Sequence, residues 1–151
     1  MIYKQIMVAV DGSKSSMLAL KESIRLAKDQ KAKLLIIHVL DDLYEGDLDR
    51  ELFVATRKEE GQEILKVMEK TLRHSKVEYE MKLVGLKSST GRVSEQIVNK
   101  AKEWPADLIV IGTHGRQGIH RMFMSSVAEG VIRITDTPVL IIRKKRRVKS
   151  H

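Results

Sequence analysis

Leu108-Ile109-Val110-Ile111-Gly112-Thr113-His114-Gly115-Arg116-Gln117-Gly118 decides the fold class. Four apolar residues closed by glycine read as a buried strand. Three glycines then fall within seven residues. Beyond them, Ser125-Ser126 reads as a helix start, and Val127, Val131 and Ile134 recur at helical steps. Strand, glycine-rich loop and helix N-terminus form an order suited to anion binding. Glycines admit close backbone approach, and the first N–H groups of a helix lack internal partners. The spacing matches neither the GxxxxGK[ST] phosphate loop nor the dinucleotide GxGxxG.

The same unit recurs outward from this stretch. Ile6-Met7-Val8-Ala9-Val10, closed by Asp11-Gly12-Ser13, is a second strand and turn. Met17, Leu20, Ile24 and Ala27 mark one face of the helix that follows, with Ser13 or Ser15 as its cap. Leu34 to Leu40 is another buried strand, and Asp41 to Arg50 an irregular acidic loop. Ile64, Leu65, Met68 and Leu72 carry a helix that begins near Leu52. Val77, Tyr79, Met81 and Leu83 alternate with polar residues, which predicts a strand at a sheet edge. Lys87 to Gly91 is a Ser/Thr/Gly loop before a short helix with Val93, Ile97, Val98 and Ala101. Trp104-Pro105 ends that helix, because the residue before proline resists helical geometry. Thr135 to Pro138 ends the helix after the glycine loop, and Val139 to Ile142 is the last strand. Five strands alternating with four helices predict one α/β domain on a doubly wound parallel sheet.

Composition narrows the function classes. The 151 residues are 42% hydrophobic and 32% charged, as in a soluble globular protein. No apolar run approaches the roughly 20 residues of a transmembrane helix, and no secretory leader is recognised, so the expected location is the cytoplasm. Without cysteine there are no disulfides and no thiol catalysis. The net charge of +8 belongs to the C-terminus: six of the 28 basic residues stand from Arg143 onward with no acidic residue among them. A basic tail can touch nucleic acid or anionic lipid. Only 4% of the residues are aromatic, which argues against stacking on bases and hence against a nucleic-acid partner. His38 and His114 lack a spaced nucleophile or metal partner, so no catalytic or metal site is assigned.

In doubly wound sheets ligands bind beyond the strand carboxyl ends where strand order reverses. The loops after Val10 and after Ile111 both have suitable character. Asp11 can accept hydrogen bonds from a ribose or an amino group, and the glycine loop can meet phosphates. An ordinary pair of βα loops, in which Asp11 caps the first helix, is the alternative reading.

Four segments taken together resemble the universal stress protein family: Ile6-Met7-Val8-Ala9-Val10-Asp11-Gly12-Ser13, Ala106 to Arg116, Ser126-Val127-Ala128-Glu129, and Thr137 to Ile142. The resemblance spans about 1–143, leaving 144–151 as a basic tail. It implies a Rossmann-like sheet of order 3-2-1-4-5 with helices on both faces, of the adenine nucleotide alpha hydrolase-like type. It also implies a homodimer through the last strand and a regulatory, stress-response role with an unidentified protein partner. By the same resemblance Ala9, Asp11, Val39 and Ile111 surround an adenine and ribose, and Gly112, Gly115, Ser125, Ser126 and Val127 contact ribose and phosphates. The implied ligand is ATP, or AMP or ADP, with Mg²⁺ held only through the phosphates and hydrolysis at most slow. The ATP-binding branch carries G-x-x-G, nine residues, then G-[S/T]. Gly112, Gly115 and Ser126 match, but Ser125 stands at the third glycine. If that position needs positive φ or touches a phosphate, serine obstructs; if it is an N-cap, serine serves well. An interaction protein of the same family that has lost ATP binding is therefore the rival expectation.

Overall fold

A computed structural model describes residues 2–41, 49–85, 92–113 and 121–143, with the side chains of 121–125 excepted. The elements are β1 (Gln5–Ala9), α1 (Lys14–Gln30), β2 (Lys33–Val39), α2 (Arg50–Leu72), β3 (Tyr79–Val84), α3 (Val93–Glu103), β4 (Leu108–Gly112), α4 (Arg121–Ile134) and β5 (Val139–Ile142). All pairings are parallel and the strand order is β3-β2-β1-β4-β5.

Alternation along the central strands builds two cores. Ile6, Val8, Leu34, Ile36 and Val110 face Leu20 and Ile24 of α1 and Met68 and Leu72 of α2. Met7, Leu35, Ile37, Ile109 and Ile111 face Ile97 and Val98 of α3 and Ala128 and Val131 of α4. Apolar side chains on both faces explain why these strands read as continuous runs rather than alternating ones. β3 does alternate, and it is an edge strand as its sequence predicts. The carboxylate of Asp107, just before β4, accepts the Lys4 and Gln5 N–H groups at 2.6 and 3.0 Å and so aligns β4 with β1.

Two glycines set helix positions. An added Cβ on Gly61 would lie 2.6 Å from Leu83 Cδ1 and 3.0 Å from His38 Cδ2, so α2 rests directly on the ends of β2 and β3. On Gly130 it would lie 2.6 Å from Ser94 Oγ, which brings α4 against α3.

The glycine-loop helix corrects one expectation. α4 begins at Arg121, so Ser125 and Ser126 stand inside it rather than at its start. The serine pair imitates a cap, whereas Met122, Phe123 and Met124 are compatible with a helical first turn. Ser125 therefore has a helical backbone with negative φ, and neither the left-handed nor the N-cap alternative applies to it. Of the expected loops, 42–48 and 86–91 lie outside the described residues. So do His114, Gly115 and Arg116 in the glycine loop and the basic tail 144–151.

Candidate ligand cavity at the strand carboxyl ends

The chain leaves β1 toward β2 on one side and later returns to β4 on the other, so a crevice opens where β1 meets its two neighbours. Register places Ala9 beside both Ile37 and Ile111. Past Ala9 the strand gives way to Asp11, whose Oδ1 accepts the Ser13 N–H at 2.9 Å. Gly12 between them has φ +85°, a conformation that glycine adopts without strain. Ser13 is the cap of α1, its hydroxyl accepting the Ser16 N–H at 3.1 Å. Asp11 therefore shapes the turn but is not the helix cap.

A cavity of about 460 Å³ opens at this point. Of the residues marked in the sequence, Ala9, Asp11, Val39, Ile111 and Val127 line it together. Val93 and Ile97 of α3 complete the apolar wall. The opposite rim is polar: Asp11, His38, Asp41, and Arg57 and Glu60 of α2. Arg57 Nη1 lies 3.3 Å from Glu60 Oε2, and its guanidinium stands 5.2 Å from the centre of the Phe53 ring. His38 Nδ1 is 2.7 Å from the Val10 carbonyl oxygen. Because a carbonyl only accepts, this contact assigns the proton to Nδ1.

The remaining marked residues divide. Gly112 ends β4, and a Cβ there would lie 2.8 Å from the backbone carbonyl carbon and oxygen of Ser15. Its glycine is thus required by the approach of α1, whatever else it touches. Ser126 is exposed on α4, one residue before Val127. Ser125 lies in α4, and Gly115 lies outside the described residues. Among the described residues no cluster of three or more His, Cys, Asp or Glu side chains could hold a metal, and no helix is long and apolar enough to cross a membrane.

Sequence reading alone missed the α2 contribution. Arg57 and Glu60 resemble any solvated charge pair three residues apart. The one available signal was Gly61, a glycine inside an otherwise helical stretch.

The sequence model of the universal stress protein family matches residues 2–143. The chain belongs to this family. A universal stress protein of Methanocaldococcus jannaschii is 35% identical over 150 residues, covering 97% of this chain and 85% of that protein. The universal stress protein YxiE of Bacillus subtilis is 32% identical, with 94% and 100% covered. Among solved structures, a universal stress protein family member from Burkholderia pseudomallei is 31% identical with a TM-score of 0.76, covering 93% of this chain and 96% of that one. The Archaeoglobus fulgidus universal stress protein in complex with dAMP is 28% identical with a TM-score of 0.69, covering 94% and 99%. A universal stress protein in complex with cAMP is 26% identical with a TM-score of 0.65, covering 94% and 98%. The adenine nucleotide alpha hydrolase-like fold implied by the sequence is the fold of this universal stress protein.

Proposed function

We propose that this universal stress protein binds an adenine nucleotide, ATP by preference, at the cavity on the carboxyl ends of β1, β2 and β4, and acts as a regulatory module. The observation that carries this reading is the convergence of Ala9, Asp11, Val39, Ile111 and Val127 on one cavity. Its volume lies within the ordinary range for small-molecule sites, about 300–1,000 Å³. The residues suit the ligand: Ala9, Val39, Ile97, Ile111 and Val127 give an apolar bed for a planar base. The Asp11 carboxylate, on the cavity lining, is the acceptor type that suits a ribose hydroxyl. The structures of relatives with dAMP and cAMP support the adenine class.

Gly112, Gly115, Ser125 and Ser126 are assigned to the ribose and phosphate end, with Mg²⁺ held only by the phosphates. Hydrolysis is at most slow, since no catalytic base is assigned beside the glycine loop. The protein acts in the cytoplasm as a homodimer through β5. In support, β5 ends the sheet, all four of its residues are half-buried, and Ile132 and Ile134 at the end of the preceding helix are 54% and 44% exposed.

Isothermal titration with Mg-ATP, with AMP and cAMP in parallel, tests the reading together with mass analysis of nucleotide released from fresh protein. Saturable heat and a recovered adenine nucleotide are expected. No heat, no thermal shift at millimolar ligand and no released nucleotide would leave the family's interaction role without nucleotide as the better account.

A further inference from the structure

α3 presents a second face. Val93 and Ile97 line the cavity, whereas Gln96, Asn99, Lys100 and Glu103 line a groove of about 670 Å³ whose floor is Met81 to Gly85. That floor is the outer edge of the sheet. Leu34 N–H reaches Glu78 O and Leu40 N–H reaches Val84 O, at 2.9 and 2.7 Å. By parallel-ladder geometry the even-numbered residues of β3 turn their backbone groups toward β2, and Tyr79, Met81 and Leu83 turn theirs outward. Among the described residues no backbone bond uses these outward groups.

The groove is built for a ligand of negative charge. Among the described residues, Lys82, Lys100 and Lys102 line it against a single carboxylate, Glu103. Lys100 is drawn into it: its side chain is only 16% exposed, and Nζ lies 3.3 Å from Glu103 Oε2. Gln96, 8% exposed, adds a carboxamide to the lining beside these lysines. Side-chain alternation on β3 completes the pattern. Glu80 is held by Trp104 Nε1 at 3.1 Å and Val84 packs with the α3 core, so Lys82 shares that face. Tyr79 reaches Glu69 of α2, and Leu83 abuts Gly61, on the other.

We propose that this groove binds an extended acidic segment of a partner protein, which adds to β3 as a sixth strand. Backbone pairing uses Tyr79, Met81 and Leu83. Alternate carboxylates face Lys82, Lys100, Lys102 and Gln96, and the intervening apolar residues extend the surface of Met81 and Leu83. This is strand addition with charge as the specificity element. It does not depend on nucleotide occupancy.

The probe is a fluorescein-labelled, end-blocked Thr-Glu-Val-Glu-Thr-Glu-Val peptide, with lysine replacing glutamate in the control, titrated against the full chain. Saturable anisotropy with the acidic peptide alone is expected, weakened about tenfold or more by Lys82→Glu and by Lys100→Gln. Both variants should melt like the parent protein. The amides of Tyr79, Met81 and Leu83 should gain hydrogen-exchange protection on binding, unlike the already paired Glu80 and Lys82. Three outcomes overturn the proposal: equal binding of the lysine peptide, binding without protection of those three amides, or the same protection arising from self-association without peptide.

Discussion

Replacing Gly130 by alanine separates local preference from packing. In an open helix interior the change stabilises by about 1 kcal/mol, because glycine is the poorer helix former. Here the new Cβ would stand 2.6 Å from Ser94 Oγ and 2.8 Å from Ser94 Cβ. Carbon atoms in contact sit roughly 3.5–4.0 Å apart, so the overlap approaches 1 Å. Ser94 can turn its hydroxyl aside but not its Cβ, and α3 and α4 must part. Overpacking of this kind costs about 1–3 kcal/mol. Gly130→Ala should therefore destabilise by about 1 kcal/mol, lowering the midpoint by about 2–4 °C for a chain of this length. Urea denaturation measures the change. In a Ser94→Gly background the obstacle is gone and Gly130→Ala should stabilise, giving a coupling of about 2 kcal/mol across the double-mutant cycle. An equal effect in both backgrounds would refute the reasoning.

Asp11→Asn keeps the acceptor for Ser13 and removes the charge. Adenine-nucleotide affinity measured calorimetrically should fall about tenfold or more, as for the loss of a charge-assisted hydrogen bond. Ser125→Gly places glycine inside α4 and should cost roughly 0.5 kcal/mol in thermal unfolding. If the same variant gains nucleotide affinity sharply, the native serine obstructs the ligand and the nucleotide-free role is favoured. Tyr79 donates to Glu69 Oε2 at 3.2 Å, and desolvation together with that bond holds its phenol above the ordinary value of 10. The neutral hydroxyl is favoured in the folded state, so its contribution is present below pH 10 and fades as pH rises through the folded value. Tyr79→Phe should lower stability at neutral pH, where the bond to Glu69 is intact, and flatten the alkaline limb of the profile.

The sheet was legible because its signals are local. β1, β2 and β4 are short apolar runs closed by turn residues, and the polar alternation of β3 marked it as an edge. Trp104-Pro105 and Thr135 to Pro138 punctuated α3 and α4 correctly. Strand order came through family resemblance, since strand patterns alone do not specify neighbours. The start of α4 was misread because a serine pair before an apolar run imitates a cap, while Ile119, His120 and Arg121 are not residue types that mark a helix start in sequence. Asp11 and the glycines were legible as a site from their place after strands, whereas Ala9, Val39, Ile111 and Val127 came through family resemblance. Arg57, Glu60 and His38 were not legible. Arg57 and Glu60 enter through the seating of α2, and that contact is set by Gly61 against residues more than twenty positions away in either direction.

The Gly130–Ser94 approach also bears on how the cavity can respond to an occupant. Val93 and Ile97 come from α3, and Val127 from α4. With those helices touching at near backbone distance, the apolar wall behaves as one plate. α2 is held differently, with only Gly61, Met68 and Leu72 of its 23 residues buried. Adjustment to ligand size therefore falls on α2, and with it on Arg57 and Glu60. Differences between occupants should be read out by the position of α2, while α3 and α4 keep theirs.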